Sequence, residues 1–373
     1  MQKIEFFKHT IGAEEKEAML RAMDEPFLTT GTIVADFEHQ FAAFVGADHA
    51  VGLTSCTAAL HLALLACGVG PGDEVITTPM TFAATSLAIA HCGAKPVWVD
   101  VEPLTGNMNA ESIEAAITSR TKAILPVHLY GQMCNMLAIS RIAKKHSLYI
   151  IEDAAHALIA RRAGIKVGQL SDACCFSFYA TKSITCGEGG ALTTNNTDIF
   201  EYVKRNRSHG LTSDAAARYS GTYTHWDIVD LGWKYNMDNL KASMLIPQLA
   251  KADHQRAIRK IACEVYMDKL HNIKQLSFPI VLPECISDYH LFTLWVDQRD
   301  DLITYLQNHG IGVTVNYRSI NLLSALLKEY GKGRGSFPNS EYIGDRTLSL
   351  PLHCKLTDAE MSYVCSTLKK FFG

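Results

Sequence analysis

The sequence predicts an α/β protein: a large N-terminal domain on a mostly parallel sheet, then a smaller C-terminal α+β domain. Three observations lead there. Short apolar runs alternate with amphipathic stretches through the first two-thirds of the chain. The alternation stops near Leu240, where a long polar helical pattern begins. The length of 373 residues, 48% hydrophobic and 20% charged, suits two packed cores of ordinary globular composition. We place the boundary at residue 250, giving domains 1–250 and 251–373.

Strands are expected at residues 50–53, 74–77, 96–99, 123–127, 148–151, 174–178 and 190–193, each a short, mainly apolar run. Helices at 58–67, 83–92, 110–117 and 137–146 fall between them, the alternation of a parallel sheet. A polar helix follows at 239–270, interrupted at Pro247, whose ring and missing N–H disfavour a helix interior. The C-terminal unit then carries a strand at 291–296, a helix at 301–309 and a strand at 312–316. A last helix spans 357–371, with Thr357 as N-cap and Glu360 three residues on. The glycine-rich stretch 331–336 reads as a mobile surface loop, with a phosphate-binding loop as the alternative.

Composition excludes several function classes. Lys+Arg number 35 against 38 Asp+Glu, a formal charge of −3, and no basic run is sustained, so neither nucleic acid nor a membrane surface is an expected partner. The run Met1 to Lys8 is charged too often for a signal-peptide core, and the apolar stretch 58–67 contains His61 and is too short for a bilayer. A cytoplasmic location is expected. The 11 cysteines lack CxxC or zinc spacing and read as small buried hydrophobes, without a metal. Gly68-Val69-Gly70-Pro71-Gly72 lacks the GxGxxG spacing, which argues against a nicotinamide cofactor.

Parallel sheets bind ligands outside the carboxyl ends of their strands, and Ser55, Asp153 and Lys182 all follow expected strands. A lysine amine and a carboxylate there are what pyridoxal phosphate needs: the aldehyde takes the amine, and the pyridine nitrogen takes an anion that keeps it protonated. Taken singly, Lys182 is also a solvated surface lysine and Asp153 a helix-capping carboxylate. Phe178, Ile184 and the glycines at 187, 189 and 190 favour enclosure of Lys182, which would lower its pKa.

Ser55-Cys56-Thr57-Ala58 joins a strand to a helix and offers free N–H groups to a phosphate, or is an ordinary N-cap. Ser177 is five residues before Lys182, placed for the same phosphate or for a backbone bond. Phe82 either stacks on the pyridine ring or packs in the core. His156 either bonds the Asp153 carboxylate or the ring hydroxyl, or is structural. Arg318 is a fork for phosphate or carboxylate, or a surface ion pair.

With these residues in place, the sequence resembles the DegT/DnrJ/EryC1/StrS nucleotide-sugar aminotransferases, of fold-type I pyridoxal phosphate architecture. The resemblance runs through Phe27-Leu28-Thr29-Thr30-Gly31, Gly70-Pro71-Gly72-Asp73-Glu74, Pro126-Val127-His128-Leu129-Tyr130-Gly131-Gln132, Glu152-Asp153-Ala154-Ala155-His156, Ser177 to Lys182, Gly187-Glu188-Gly189-Gly190 and Lys234-Tyr235-Asn236. It implies that Lys182 bonds the cofactor and carries protons, and that Asp153 holds the ring nitrogen. It also implies that Thr57, Ala58 and Ser177 bind phosphate, Phe82 stacks on the ring and His156 lies beside it. Asn236 would reach the phosphate in the other subunit of a homodimer with shared sites.

The implied reaction moves an amino group from L-glutamate to a nucleotide-linked keto-sugar, with pyridoxamine 5′-phosphate as the intermediate form of the cofactor. Ile184-Thr185-Cys186 and Val315-Asn316-Tyr317-Arg318 are similar to enzymes that make UDP-4-amino-4-deoxy-L-arabinose. A UDP-linked 4-keto sugar for a cell-surface glycan such as lipopolysaccharide is therefore expected, ahead of dTDP- or GDP-linked or 3-keto sugars. Thr30, Tyr317 and Arg318 are candidates for the sugar pocket. A pyridoxal phosphate lyase, a desulfurase and a catalytically silent binder are the rival readings.

Overall fold

The computed structural model describes residues 3–212 and 225–373; Met1 and Gln2 of the charged amino terminus lie outside them. The chain opens with helices α1 (Ala13–Met23) and α2 (Thr32–Val45). Strand and helix then alternate: β1 (His49–Leu53), α3 (Cys56–Ala66), β2 (Glu74–Thr77), α4 (Ala84–His91), β3 (Lys95–Trp98), β4 (Thr121–Ile124), α5 (Met136–His146) and β5 (Tyr149–Asp153). A short pair, β6 (Arg161–Arg162) and β7 (Ile165–Lys166), precedes β8 (Ala173–Ser177), β9 (Gly190–Thr194) and α6 (Thr197–Asn206). A 32-residue helix, α7 (Asn239–Leu270), leads to β10 (Cys285–Ile286), β11 (Phe292–Trp295), α8 (Arg299–Asn308), α9 (Ser324–Tyr330), α10 (Pro338–Arg346), β12 (Thr347–Leu350) and α11 (Asp358–Phe372).

Seven strands form one sheet in the order β1-β9-β8-β5-β4-β2-β3. Its neighbours are parallel except along β9, which runs antiparallel to both β1 and β8. Reversal of β9 alone leaves the carboxyl ends of β1, β2, β5 and β8 on one edge. Helices cover both faces, so β2, β8 and β9 are buried almost throughout. Polar caps fix the helix starts: Ser55 Oγ accepts the Ala58 N–H of α3, Asn135 caps α5 and Asn196 caps α6.

The C-terminal unit packs β11 and β12 with α8, α11 and the second half of α7. Helix α7 belongs to both units: Ala242, Leu245 and Leu249 lie in the core of the large sheet, whereas Ala262, Tyr266 and Leu270 lie in the small core. A boundary at residue 250 therefore cuts this helix near its middle. Ile4 also joins the small core and bridges to Ile311, so the amino-terminal segment crosses to the C-terminal unit.

Three expectations are corrected. Residues 110–117 form two 3-10 turns, Ala110–Ser112 and Glu114–Ala116, because Asn109 Oδ1 takes the Glu111 N–H and tightens the start. Pro247 does not interrupt α7; the helix is held against α1 and α2, and Gln248 Nε2 donates to the Met244 carbonyl. Residues 312–316 make only an isolated bridge, Thr314 to Ser349, since the Asn316 carbonyl is taken by the Tyr130 hydroxyl (2.6 Å) instead of a strand. The stretch 331–336 is a largely exposed surface loop as expected, with contacts from Asn321 Nδ2 to the Lys332 carbonyl (3.1 Å), Gly335 N–H to Glu341 (2.7 Å) and Arg334 to Asp345 (2.8 Å). The capping box at Thr357 and Glu360 is present as expected.

Gly190 marks a close backbone approach beside the carboxyl end of β1. A methyl there would collide with the Ser55–Cys56 peptide at the start of α3. We predict that Gly190→Ala lowers stability by about 1–3 kcal/mol, read as a lower urea midpoint; an unchanged midpoint would contradict this packing.

Candidate active site

The carboxyl ends of β1, β5 and β8, the loop after β2 and residues 314–317 of the small unit surround a cavity of about 590 Å³. Of the residues singled out from sequence, Ser55, Thr57, Phe82, Asp153, His156, Ser177, Lys182 and Tyr317 line it. Cys56, Glu188 and Asn316 line it from within motifs already quoted, and Thr81 and Thr85 line it without having been singled out. Parallel strands with aligned ends are the reason that residues 57, 153 and 182 can share one space.

Asp153 ends β5 and is buried. Thr85 Oγ1 donates to Oδ2 (2.8 Å), Ala155 N–H donates to Oδ1 (3.1 Å), and the Cys56 thiol lies 4.0 Å from Oδ1. Thr81 in turn lies 2.8 Å from Thr85 Oγ1, forming a short hydroxyl chain behind the carboxylate. Burial raises the Asp153 pKa, while the Thr85 hydroxyl, the Ala155 N–H and Lys182 work against the rise. The result is a carboxylate with increased proton affinity, suited to a ring N–H. Thr85 left no signal in the sequence, since a threonine in an apolar helix reads as packing.

Lys182 follows β8 in a loop closed by Lys182 N–H to the Tyr179 carbonyl (2.9 Å) and Cys186 N–H to the Phe178 carbonyl (3.2 Å). Phe178 and Ile184 are fully buried on either side of it. Burial lowers the amine pKa to about 8, with Cys56 and Asp153 resisting the fall. Such an amine is a nucleophile near neutral pH.

His156 is buried, and burial together with the Lys182 charge pushes its pKa well below 6.5, so the ring is neutral. Its Nε2 pairs with the Tyr317 hydroxyl (3.0 Å), and the two rings stack at 5.8 Å. His156 Nδ1 is buried without a partner among the described residues. Phe82 is 62% exposed despite lining the cavity, which leaves a ring face open, with Tyr317 5.8 Å away. Tyr130, at a left-handed φ of 58°, anchors the small-unit loop through the Asn316 carbonyl.

At the far end, the Ala58 N–H is committed to Ser55 Oγ (3.1 Å), whereas Thr57 and Ser177 face the cavity. Thr30, Asn236 and Arg318 do not line it. Asn236 Nδ2 donates to Thr30 Oγ1 (2.7 Å), and Thr30 donates to the Met237 carbonyl (2.7 Å), so these two form their own cluster. Arg318 is exposed and makes no ion pair among the described residues. Ile184 and Cys186 are buried and Thr185 N–H is held by Gln248, so the 184–186 segment packs behind the lysine instead of facing the cavity. No cluster of three metal-ligating side chains occurs among the described residues, and no helix there is long and apolar enough to cross a membrane.

A family model of the DegT/DnrJ/EryC1/StrS aminotransferases matches residues 9–369. The chain belongs to this family. SpsC of Bacillus subtilis, a spore coat polysaccharide biosynthesis protein, is 38% identical over 367 residues, covering 96% of this chain and 94% of that protein. DesV of S. venezuelae, solved with a ketimine intermediate, superposes with a TM-score of 0.92 at 32% identity over 100% of this chain and 99% of DesV. Spr1654 of Streptococcus pneumoniae, a sugar aminotransferase solved in a pyridoxamine phosphate form, gives 0.93 at 30% identity over 98% of each chain; a pyridoxal phosphate form is also known.

This is therefore a pyridoxal phosphate-dependent sugar aminotransferase of fold-type I. The residues present fit the cofactor: an amine with a lowered pKa, a buried carboxylate with raised proton affinity, an open aromatic face and an unpartnered imidazole nitrogen surround one cavity.

A lysine amine attacks an aldehyde only when uncharged, so attachment of the cofactor should quicken as pH rises through the Lys182 pKa. In cofactor-free protein, the attachment rate is expected to reach half its plateau near pH 8, against an ordinary lysine value of 10.5. A midpoint close to the ordinary value would contradict the enclosure of Lys182.

Proposed function

We propose that the chain transfers an amino group from L-glutamate to a 4-keto sugar carried on a nucleoside diphosphate, with UDP as nucleotide. The observation that carries this reading is the meeting of Lys182, Asp153 and neutral His156 in one cavity with an open aromatic face. When bound, the cofactor supplies an electron sink for the electrons released at the carbon that loses its proton. Lys182 would first hold the aldehyde and then, released, move a proton between donor or sugar carbon and cofactor. Asp153, backed by Thr85, would keep the ring nitrogen protonated. Thr57 and Ser177, with the backbone at Ala58, would hold the phosphate; Phe82 would cover the ring, and His156 with Tyr317 would flank it.

A homodimer with shared sites completes this reading. Among the described residues lining the cavity, Lys182 is the lone Lys or Arg, alongside Asp153 and Glu188. A sugar diphosphate and a dicarboxylic donor both need further cationic or N–H donors. Asn236 spends one amide hydrogen on Thr30 and retains the other. In this reading, Asn236 and Thr30 serve the partner's cavity, and Arg318 lies toward the substrate phosphates. The names of SpsC and Spr1654 support a sugar acceptor and a polysaccharide destination; we place the enzyme in the cytoplasm, in amino-sugar supply for a cell-surface glycan such as lipopolysaccharide.

Two experiments test this. Holoenzyme titrated with L-glutamate is expected to convert to the pyridoxamine phosphate form, and a UDP-linked 4-keto sugar should reverse the spectral change. Reversal only by a dTDP- or GDP-linked or 3-keto sugar moves the acceptor, and an unchanged spectrum with glutamate removes the donor. For the shared site, Lys182→Ala and Asn236→Ala chains are each expected to be inactive alone. Mixed dimers should regain about one working site, the pattern of residues acting across an interface; no complementation would sink the assignment of Asn236.

A further inference from the structure

We propose that Asp288 is a positioning residue for Lys182, acting through Ser183. This rests on the reading of Lys182 as the lysine that holds the cofactor. Asp288 belongs to the loop between β10 and β11 and is fully buried. Its Oδ2 accepts the Ser183 hydroxyl (3.0 Å) and the Leu158 N–H (3.1 Å). Its Oδ1 accepts Arg259 Nη2 from α7 (2.9 Å). Arg259 also donates to the carbonyls of Asp288 and Tyr289 (3.0 Å each), and the Asp288 N–H donates to the Gly131 carbonyl (2.9 Å).

Each contact touches a part of the site. Ser183 is the neighbour of Lys182, Leu158 lies two residues beyond His156, and Gly131 follows Tyr130, which anchors the Asn316 carbonyl. His290, two residues after Asp288, sets its ring 4.4 Å from that of His156. One carboxylate from the small unit thus ties together the loops that carry the lysine and the imidazole. Arg259 balances the charge, while Ser183 and Leu158 supply the remaining hydrogen bonds that a buried carboxylate needs and so fix their two loops to it.

The consequence follows from what Lys182 must do. Once the amine is released from the cofactor, where it sits depends on the backbone of residues 181–183. A shift of about 1 Å in a positioned group is enough to cost about a hundredfold in rate. The Ser183–Asp288 tether holds that backbone while the side chain changes partners.

The test uses holoenzyme carrying Ser183→Ala, Ser183→Thr or Asp288→Asn. Amide hydrogen exchange at Lys182, Thr185 and Cys186 is expected to quicken about tenfold or more in Ser183→Ala. The remainder of the sheet should be unaffected, and Ser183→Thr, which keeps the hydroxyl, should restore protection. In the half-reaction with L-glutamate, the deuterium isotope effect at the α-carbon should rise in Ser183→Ala at unchanged cofactor content. Asp288→Asn should show the same rise without adding to it in the double variant. Unchanged exchange together with an unchanged isotope effect in Ser183→Ala would overturn the proposal. So would an Asp288→Asn protein that fails to fold beside a Ser183→Ala protein that behaves as wild type, since Asp288 would then serve Arg259 alone. If wild type does not react with glutamate, the donor assignment falls, and the exchange measurement still decides the tether.

Discussion

A carboxylate and an amine are both expensive to remove from water, and this fold removes them together. Asp153 and Lys182 line the same cavity, each working against the other's desolvation. Neither could stay in place on a mobile loop. Asp153 is the last residue of a central strand, and Lys182 sits five residues past the next strand in a loop pinned by its own amides. The parallel sheet therefore does more than fill a core. It sets the spacing of charged groups that would otherwise move toward solvent.

That spacing depends on close backbone contact. Gly190, the first residue of the reversed strand β9, lies against the peptide that starts α3, and α3 presents Thr57 to the cavity. Behind the sheet, Glu152 faces away from Asp153 and pairs with His128 (2.6 Å) while accepting the Gly168 N–H. The Cys134 N–H reaches His128 Nδ1 (3.2 Å), which places the ring proton on Nε2, toward Glu152. Both faces of β5 are thus fixed by buried polar contacts, and the chemistry occupies only one. The small unit closes the other side of the cavity with Asn316 and Tyr317, and α7 joins the two cores.

Much of this was legible in the sequence, for local reasons. Short apolar runs gave the seven strands of the large sheet to within a few residues but not β12, and the strand-end rule gave Asp153 and Lys182 a common edge. Thr357 and Glu360 announced their helix because a capping box is a contact across three residues. What escaped depends on long-range contact. Thr85 serves Asp153 across 68 residues, and Asp288 serves Ser183 across 105; neither pattern exists in a local window. The failed strand at 312–316 has the same cause, since a tyrosine 186 residues away claims the Asn316 carbonyl. Pro247 was misread because packing on α1 and α2 outweighs a local preference.

The central claim is that one lysine, held beside Asp153, carries the cofactor. Holoenzyme reduced with borohydride and digested should yield a single peptide bearing the pyridoxyl mass, and fragmentation should place that mass on Lys182. A modified peptide from any other lysine, or none from a protein that retains its visible absorbance, would contradict the account.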